Sequence, residues 1–147
     1  MRLEELFLAP EDLYRLGNVT SPRLDNIRRP KDIDTMEVNG ILMVISNGKG
    51  VSLFTKERLE ATPMSGWVWM IAKGTNVPAG LKLVNDRPGH YSICPMANMP
   101  LDEFKGLLAK LALKCSKVFK KQLPFLINII FRLLYCIPQI YILHQFI

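Results

Sequence analysis

The sequence predicts an α+β domain built mostly from antiparallel strands, with one clear helix late in the chain and an apolar C-terminal segment. Three observations predict it. Asn39-Gly40 stands between two short apolar runs; this is the favoured pair for a type I′ hairpin turn, because both central positions take positive φ. Further runs rich in β-branched and aromatic residues follow, each bounded by Gly, Pro, Ser or Asn. After Pro100 the spacing becomes helical: Phe104, Leu107, Leu108, Leu111, Cys115, Val118 and Phe119 recur at helical intervals.

Taken in order, Glu11–Leu16 opens the domain as a short strand or the end of a turn. Ser21–Lys31 contains Pro22 and Pro30 and four basic residues. Proline fixes its own φ and restricts its predecessor, so an extended surface loop is expected. Met36–Val38 and Ile41–Ile45 form the hairpin, its second strand central. Asn47–Gly50 reverses the chain again before a strand at Val51–Phe54. A short helix starting after Thr55, with Thr55 as its N-cap, ends before Pro63. Trp67–Ala72, Leu81–Val84 and Tyr91–Cys94 read as three more strands, the last two joined by a loop over Asp86–Gly89. The count is five or six strands. In the long helix, Pro100 suits the first turn, and Asp102 and Glu103 complement the positive end of the dipole. Lys105, Lys110, Lys114, Lys117 and Lys121 fall largely on the other face; this is a solvated face or, alternatively, a phosphate-touching one.

At 147 residues the chain suits one domain with a core of its own. Hydrophobic residues make up 49% and charged residues 22%, which excludes a disordered chain. The net charge of +6 favours phosphate-bearing ligands, nucleic acid or anionic membrane without selecting among them. Cys94, Cys115 and Cys136 have no CxxC spacing, so no metal site is expected, and free thiols suit a reducing cytoplasm. Arg2, Glu4 and Glu5 interrupt the first ten residues, so no secretory signal is read there. From Leu123 to Ile147 acidic residues vanish and only Arg132 is formally charged. The division expected is therefore a domain over 1–122 and a hydrophobic tail over 123–147. The tail is long enough for a membrane helix, but Arg132 and Pro138 oppose one. Membrane association, a core helix and a neutral terminus all stay open.

Motifs with fixed chemistry are absent. No G-x-S-x-G elbow, no Walker loop and no His–carboxylate pair at metal spacing occurs. Arg15 beside Tyr14 reads as a phosphate fork with an aromatic wall, or as an edge-strand Arg over an aromatic. Ser52 stands at a turn-to-strand junction, where serines commonly satisfy backbone groups. His90 precedes a strand, where a lone His is commonly structural.

In combination these pieces form a recognisable order. Leu13-Tyr14-Arg15, Gly50-x-Ser52-x-Phe54, Gly74-Thr75-x-Val77-Pro78-x-x-Leu81-Lys82-Leu83, His90-Tyr91-Ser92-Ile93-x-Pro95 and Met99 resemble the second-exported-effector toxin family of bacterial type VI secretion systems. The resemblance runs from about Leu13 to Leu108, and its most specific blocks are Gly74–Leu83 and His90–Pro95. It implies an ADP-ribosyltransferase-like fold, a split antiparallel β-sheet with a C-terminal helix and a cleft that accepts NAD. It also implies a catalytic set of Arg15, Ser52 and His90. Arg15, with Tyr14 beside it, holds the phosphates; Ser52 orients the nicotinamide ribose; His90 hydrogen-bonds substrate or shapes the cleft. Phe54 and Trp67 complete the residues toward NAD, with Trp69 as the alternative stacking ring. Two departures accompany the match. Val51 replaces the hydroxyl residue that precedes the motif serine. The catalytic Glu usual in this fold has no counterpart, since the late strands offer only Asp86, placed in a turn, and Glu57 and Glu60 fall on the short helix.

The resemblance implies a toxin domain that uses NAD to modify a macromolecule. A same-fold alternative is RNA 2′-phosphotransfer, which wants a strongly basic cleft. An alternative of another class is an inactive protein- or nucleic-acid-binding module, tethered to a membrane by its tail.

Overall fold

In the computed structural model, residues 4–123 are described, together with Ile130, Leu133 and Leu134 in helical backbone. The tail expected over 123–147 therefore lies almost wholly outside the described residues. Within residues 4–123 the chain forms ten strands and two helices. They run β1 (Glu4–Leu6), β2 (Leu13–Gly17), β3 (Thr35–Val38), β4 (Ile41–Val44), β5 (Val51–Phe54) and α1 (Lys56–Ala61). Then come β6 (Gly66–Ile71), β7 (Leu81–Arg87), β8 (His90–Pro95), β9 (Met99–Pro100), α2 (Leu101–Ala112) and β10 (Ser116–Lys121). A seven-stranded sheet has the order β1-β7-β8-β5-β2-β6-β10, and a three-stranded sheet the order β3-β4-β9. Every strand pairing is antiparallel. Among the described residues no helix is long and apolar enough to cross a membrane.

The local chemistry explains the elements. Asn39 and Gly40 have φ of 51° and 80°, the double positive φ of a type I′ turn, so β3 and β4 pair directly with Val38 opposite Ile41. β4 is the middle strand of its sheet, as expected. Thr55 caps α1, its side-chain oxygen accepting from the Arg58 backbone N–H at 3.3 Å. Pro88-Gly89 turns β7 into β8, with Gly89 at φ 74°; a proline followed by a positive-φ glycine suits a type II turn.

One face of the large sheet holds the main core. Leu13, Leu53, Ile71, Leu83 and Ile93 pack there with Phe104, Leu108 and Leu111 of α2. The opposite face carries a smaller cluster, in which Leu59 of α1 covers Tyr14 and Val68, flanked by Phe54 and Met70. Alternation along the strands sorts side chains between these faces.

Four expectations are corrected. The amphipathic helix ends at Ala112, with Leu113 as its C-cap, and Val118 and Phe119 belong to β10. The edge of β6 offers unpaired backbone groups, and the segment after α2 pairs with it from Met70 to Gly66; this satisfies more backbone than extra helical turns in solvent. Lys117 and Lys121 are thus strand residues. Pro100 is the N-cap, not a residue of the first turn. β7 continues to Arg87, so Asp86 lies on a strand rather than in a turn. Finally, β1, β9 and β10 add to the five or six strands expected: they are short or edge strands with no alternating apolar pattern of their own.

Gly50 fixes the start of β5. A Cβ there would stand 2.0 Å from the Ile93 carbonyl oxygen on β8, far inside contact distance. We expect Gly50→Ala to push β5 off β8 and lower stability by about 1–3 kcal/mol, read as a reduced midpoint in chemical denaturation. An unchanged midpoint would mean that the two strands shift apart freely.

Candidate functional site

The register sorts the six residues singled out from the sequence into two groups. Tyr14 pairs with Phe54, and Phe54 with His90, while Ser52 lies two residues from Phe54; all four side chains therefore share the α1 face of the sheet. Arg15 and Trp67, the latter opposite Gly17, belong to the other face.

On the first face a chain of hydrogen bonds links three strands. His90 is buried at 5% exposure, and its Nε2 lies 2.9 Å from Ser52 Oγ. Its Nδ1 lies 2.5 Å from Asp86 Oδ1. The Phe54 ring meets the imidazole edge-on, with centroids 5.5 Å apart and planes at 67°. Ser52, His90 and Asp86 line a pocket of about 230 Å³ whose other walls bring Arg28, Lys31, Lys49 and Arg87. Two of these cations are already paired. Arg28 forks onto Asp32 at 3.0 and 3.2 Å, and Lys49 bonds Asp34 at 2.9 Å and the Pro30 carbonyl at 2.7 Å. The Lys49 ammonium and the Asn47 amide hold the Asp34 carboxyl below its ordinary pKa. Lys31 and Arg87 have no acidic partner among the described residues.

Arg15 does something other than face this pocket. β2 and β5 share only the Tyr14–Phe54 register pair and part beyond it. The Arg15 guanidinium bridges the gap, donating to the carbonyls of Ser52 at 3.0 Å, Pro22 at 3.2 Å and Arg23 at 3.1 Å. Burial draws its pKa below the ordinary arginine value, with Asp32 acting in the opposite direction. Three of five guanidinium N–H groups are thereby used. Trp67 lies under the Lys117 ammonium, 4.8 Å from the ring centroid. Trp69 donates its indole N–H to the Asn18 carbonyl at 2.8 Å. Tyr14 is packed in the smaller cluster; burial first, then Asp12 and Glu60, raises its hydroxyl pKa.

A larger, open groove of about 670 Å³ runs beside α1 and the Pro88-Gly89 turn, where Lys56 and Arg58 alternate with Glu11 and Glu57. Its charges are mixed, and the hydrogen-bonded chain of Ser52, His90 and Asp86 does not line it. Cys94 is buried and its thiol is pushed up to about 12 by desolvation, so it is a neutral packing residue rather than a nucleophile.

A family model described as the Tse2 ADP-ribosyltransferase toxin matches residues 9–119. The chain belongs to this family. No curated protein and no solved structure matches it. The matched span runs from just before β2 into β10 and includes Arg15, Ser52, Phe54, Asp86 and His90. The mostly antiparallel α+β architecture is consistent with an ADP-ribosyltransferase-like domain.

The pocket also contains groups that the sequence reading did not assign. From sequence Asp86 falls in a turn, Arg28 and Lys31 fall in the extended loop as the basic residues a phosphotransferase cleft would use, and nothing distinguishes Lys49 or Arg87. A signal for Asp86 was present: an acid four residues before a histidine, across a two-residue Pro-Gly turn, returns beside it on the next strand.

The tie made by Arg15 has a measurable consequence. We expect Arg15→Ala to lower stability by about 2–3 kcal/mol: a hydrogen bond to a charged donor contributes about 1.5–3 kcal/mol, but the bonds to Ser52 and Pro22 are only part-buried and the one to Arg23 is exposed, so water replaces much of the sum. Arg15→Lys should recover little, because a compact ammonium lacks the planar span that lets Nε, Nη1 and Nη2 reach carbonyls on both sides of the gap. Unfolding curves of both variants that overlay the wild type would show the tie to be dispensable.

Proposed function

We propose that the chain is an ADP-ribosyltransferase-like toxin domain that binds NAD at the Ser52–His90 pocket and transfers ADP-ribose to a macromolecule. The observation that carries this reading is the coincidence of two things: membership of an ADP-ribosyltransferase toxin family over residues 9–119, and a pocket joining a hydrogen-bonded Ser–His pair to a basic rim. In this reaction the bond between ribose C1′ and the nicotinamide nitrogen breaks, and its electron pair leaves with nicotinamide. A bond from C1′ to an acceptor oxygen or nitrogen forms, and the acceptor loses its proton. The transition state resembles an oxocarbenium cation, so oriented acceptors near C1′ and rigidly held phosphates lower its energy.

Several features support this reading. Ser52 is held by His90 and lines the pocket, which suits its oxygen to accept from a ribose hydroxyl. Lys31 and Arg87, without acidic partners among the described residues, suit the pyrophosphate. That role moves away from Arg15, whose guanidinium is engaged with carbonyls. Ligand pockets generally span about 300–1,000 Å³, so a pocket of about 230 Å³ suits the reacting half of a dinucleotide, with the remainder outside. Phe54 supports His90 from behind rather than stacking on a ligand, and Tyr14 supports Phe54. On this reading residues 123–147 are a separate appendage of the catalytic domain.

The test is nicotinamide release from NAD by the full chain, beside Ser52→Ala and His90→Ala. Each variant should lose about 10²-fold or more in kcat/KM while keeping a cooperative thermal transition. Folded wild-type protein that neither binds nor cleaves NAD would overturn the reading and favour a non-enzymatic binding module.

A further inference from the structure

We propose that Asp86 is the positioning residue of this pocket: it holds His90 in the tautomer that turns the lone pairs of Ser52 toward the ligand. The proposal deepens the NAD reading above and rests on it for the identity of the ligand, but not for the hydrogen-bond polarity itself.

The backbone arranges the contact. Along β7 and β8, Asn85 pairs with Tyr91, but the next pair is Arg87 with His90. Asp86 is the extra residue of a β-bulge, a device that re-aims side chains beside functional sites. Two consecutive side chains of β7, Asp86 and Arg87, therefore flank one residue of β8, and all three line the pocket. Val84, two residues earlier, pairs with Ser92, which in turn pairs with Ser52. Asp86, His90 and Ser52 thus lie on the same sheet face in three successive strands, and no water is needed to connect them.

The polarity follows from donor and acceptor inventory. An ionised carboxylate only accepts, so His90 Nδ1 carries the proton of that contact. In the neutral imidazole Nε2 then has only a lone pair. Ser52 must donate its hydroxyl proton to it across 2.9 Å. With its proton committed, the Ser52 oxygen can only accept from a ligand. It becomes the hydrogen-bond acceptor for a ribose hydroxyl, and the negative charge of Asp86 acts on the site through two hydrogen bonds. The opposite tautomer would make Ser52 a donor and repel the hydroxyl proton it should receive. The Phe54 ring, edge-on to the imidazole, opposes a ring flip that would put carbons where Nδ1 and Nε2 now meet Asp86 and Ser52.

The experiment reads the tautomer directly and the reaction separately. Long-range ¹H–¹⁵N correlation of the full chain, with the His90 signals assigned through His90→Gln, reports which ring nitrogen carries hydrogen. We expect a neutral ring protonated at Nδ1 in the wild type, and in Asp86→Asn a mixture or the Nε2–H form. An Nε2–H ring or an imidazolium in the wild type at neutral pH overturns the proposal without any activity measurement. In nicotinamide release, Asp86→Asn should lower kcat by about 10²-fold or more with KM changed less than threefold, in line with loss of a positioned acid–base partner. Asp86→Glu should recover part of kcat. Wild-type kcat in a folded Asp86→Asn overturns the proposal. If the wild type releases no nicotinamide, the NAD reading falls, and the tautomer measurement still decides the role of Asp86.

Discussion

The structure depends on how the parting of β2 from β5 is bridged. Antiparallel neighbours normally satisfy each other along their length, yet here one register pair, Tyr14 with Phe54, joins them. Beyond it the part-buried carbonyls of Ser52 and Pro22 face a gap, and leaving a buried carbonyl without a partner costs about 1–3 kcal/mol. The Arg15 guanidinium fills the gap, binding Ser52 on one side and Pro22 and Arg23 on the other. A planar fork with five donors does this where a lysine would not. The bridge also anchors the loop that brings Arg28 and Lys31 to the pocket, and Lys49 makes a second tie to it through Pro30. The residue that resembles a ligand-gripping arginine thereby shapes the pocket wall.

The pocket that results has a particular electrostatic design. Its cations stand on loops and on the β7 bulge, while its one carboxylate in contact with the histidine is reached through His90. A charge held at the far end of a hydrogen-bonded chain needs less desolvation than one placed directly against a ligand. The negative charge of Asp86 thus stands behind His90 and acts on Ser52 through it. Burial of His90 and the edge-on Phe54 keep the chain in one arrangement.

Much of the fold was legible because its signals are local. Asn39-Gly40 forced a hairpin through backbone sterics alone, and Thr55 announced α1 through a single capping bond. Apolar runs at 51–54, 67–71, 81–84 and 91–94 marked the central strands, which are buried on at least one face. The reading failed where the deciding partner is remote in sequence. Val118 and Phe119 continue the spacing of α2, yet the free edge of β6, some fifty residues earlier, takes them as β10. Lys121, expected on a solvated helix face, is buried with its ammonium on the carbonyls of Thr62 and Met64 at 2.9 and 2.6 Å.

The site shows the same boundary. Sequence alone determined the family, the predominance of antiparallel strands, the main turns and the residue types available for chemistry, because these depend on local sterics, patterning and motif spacing. Tertiary structure decided which of those residues meet. Strand order brought Ser52, His90 and Asp86 from three strands onto one face, and a bulge set Asp86 against the imidazole. The same alternation sent Arg15 and Trp67 to the other face, where one bridges carbonyls and the other lies under a lysine. Asp86 and His90 meet across a local hairpin, but Ser52 joins them through the pairing of β5 with β8, 38 residues apart in sequence, and no short window of sequence contains both of those partners.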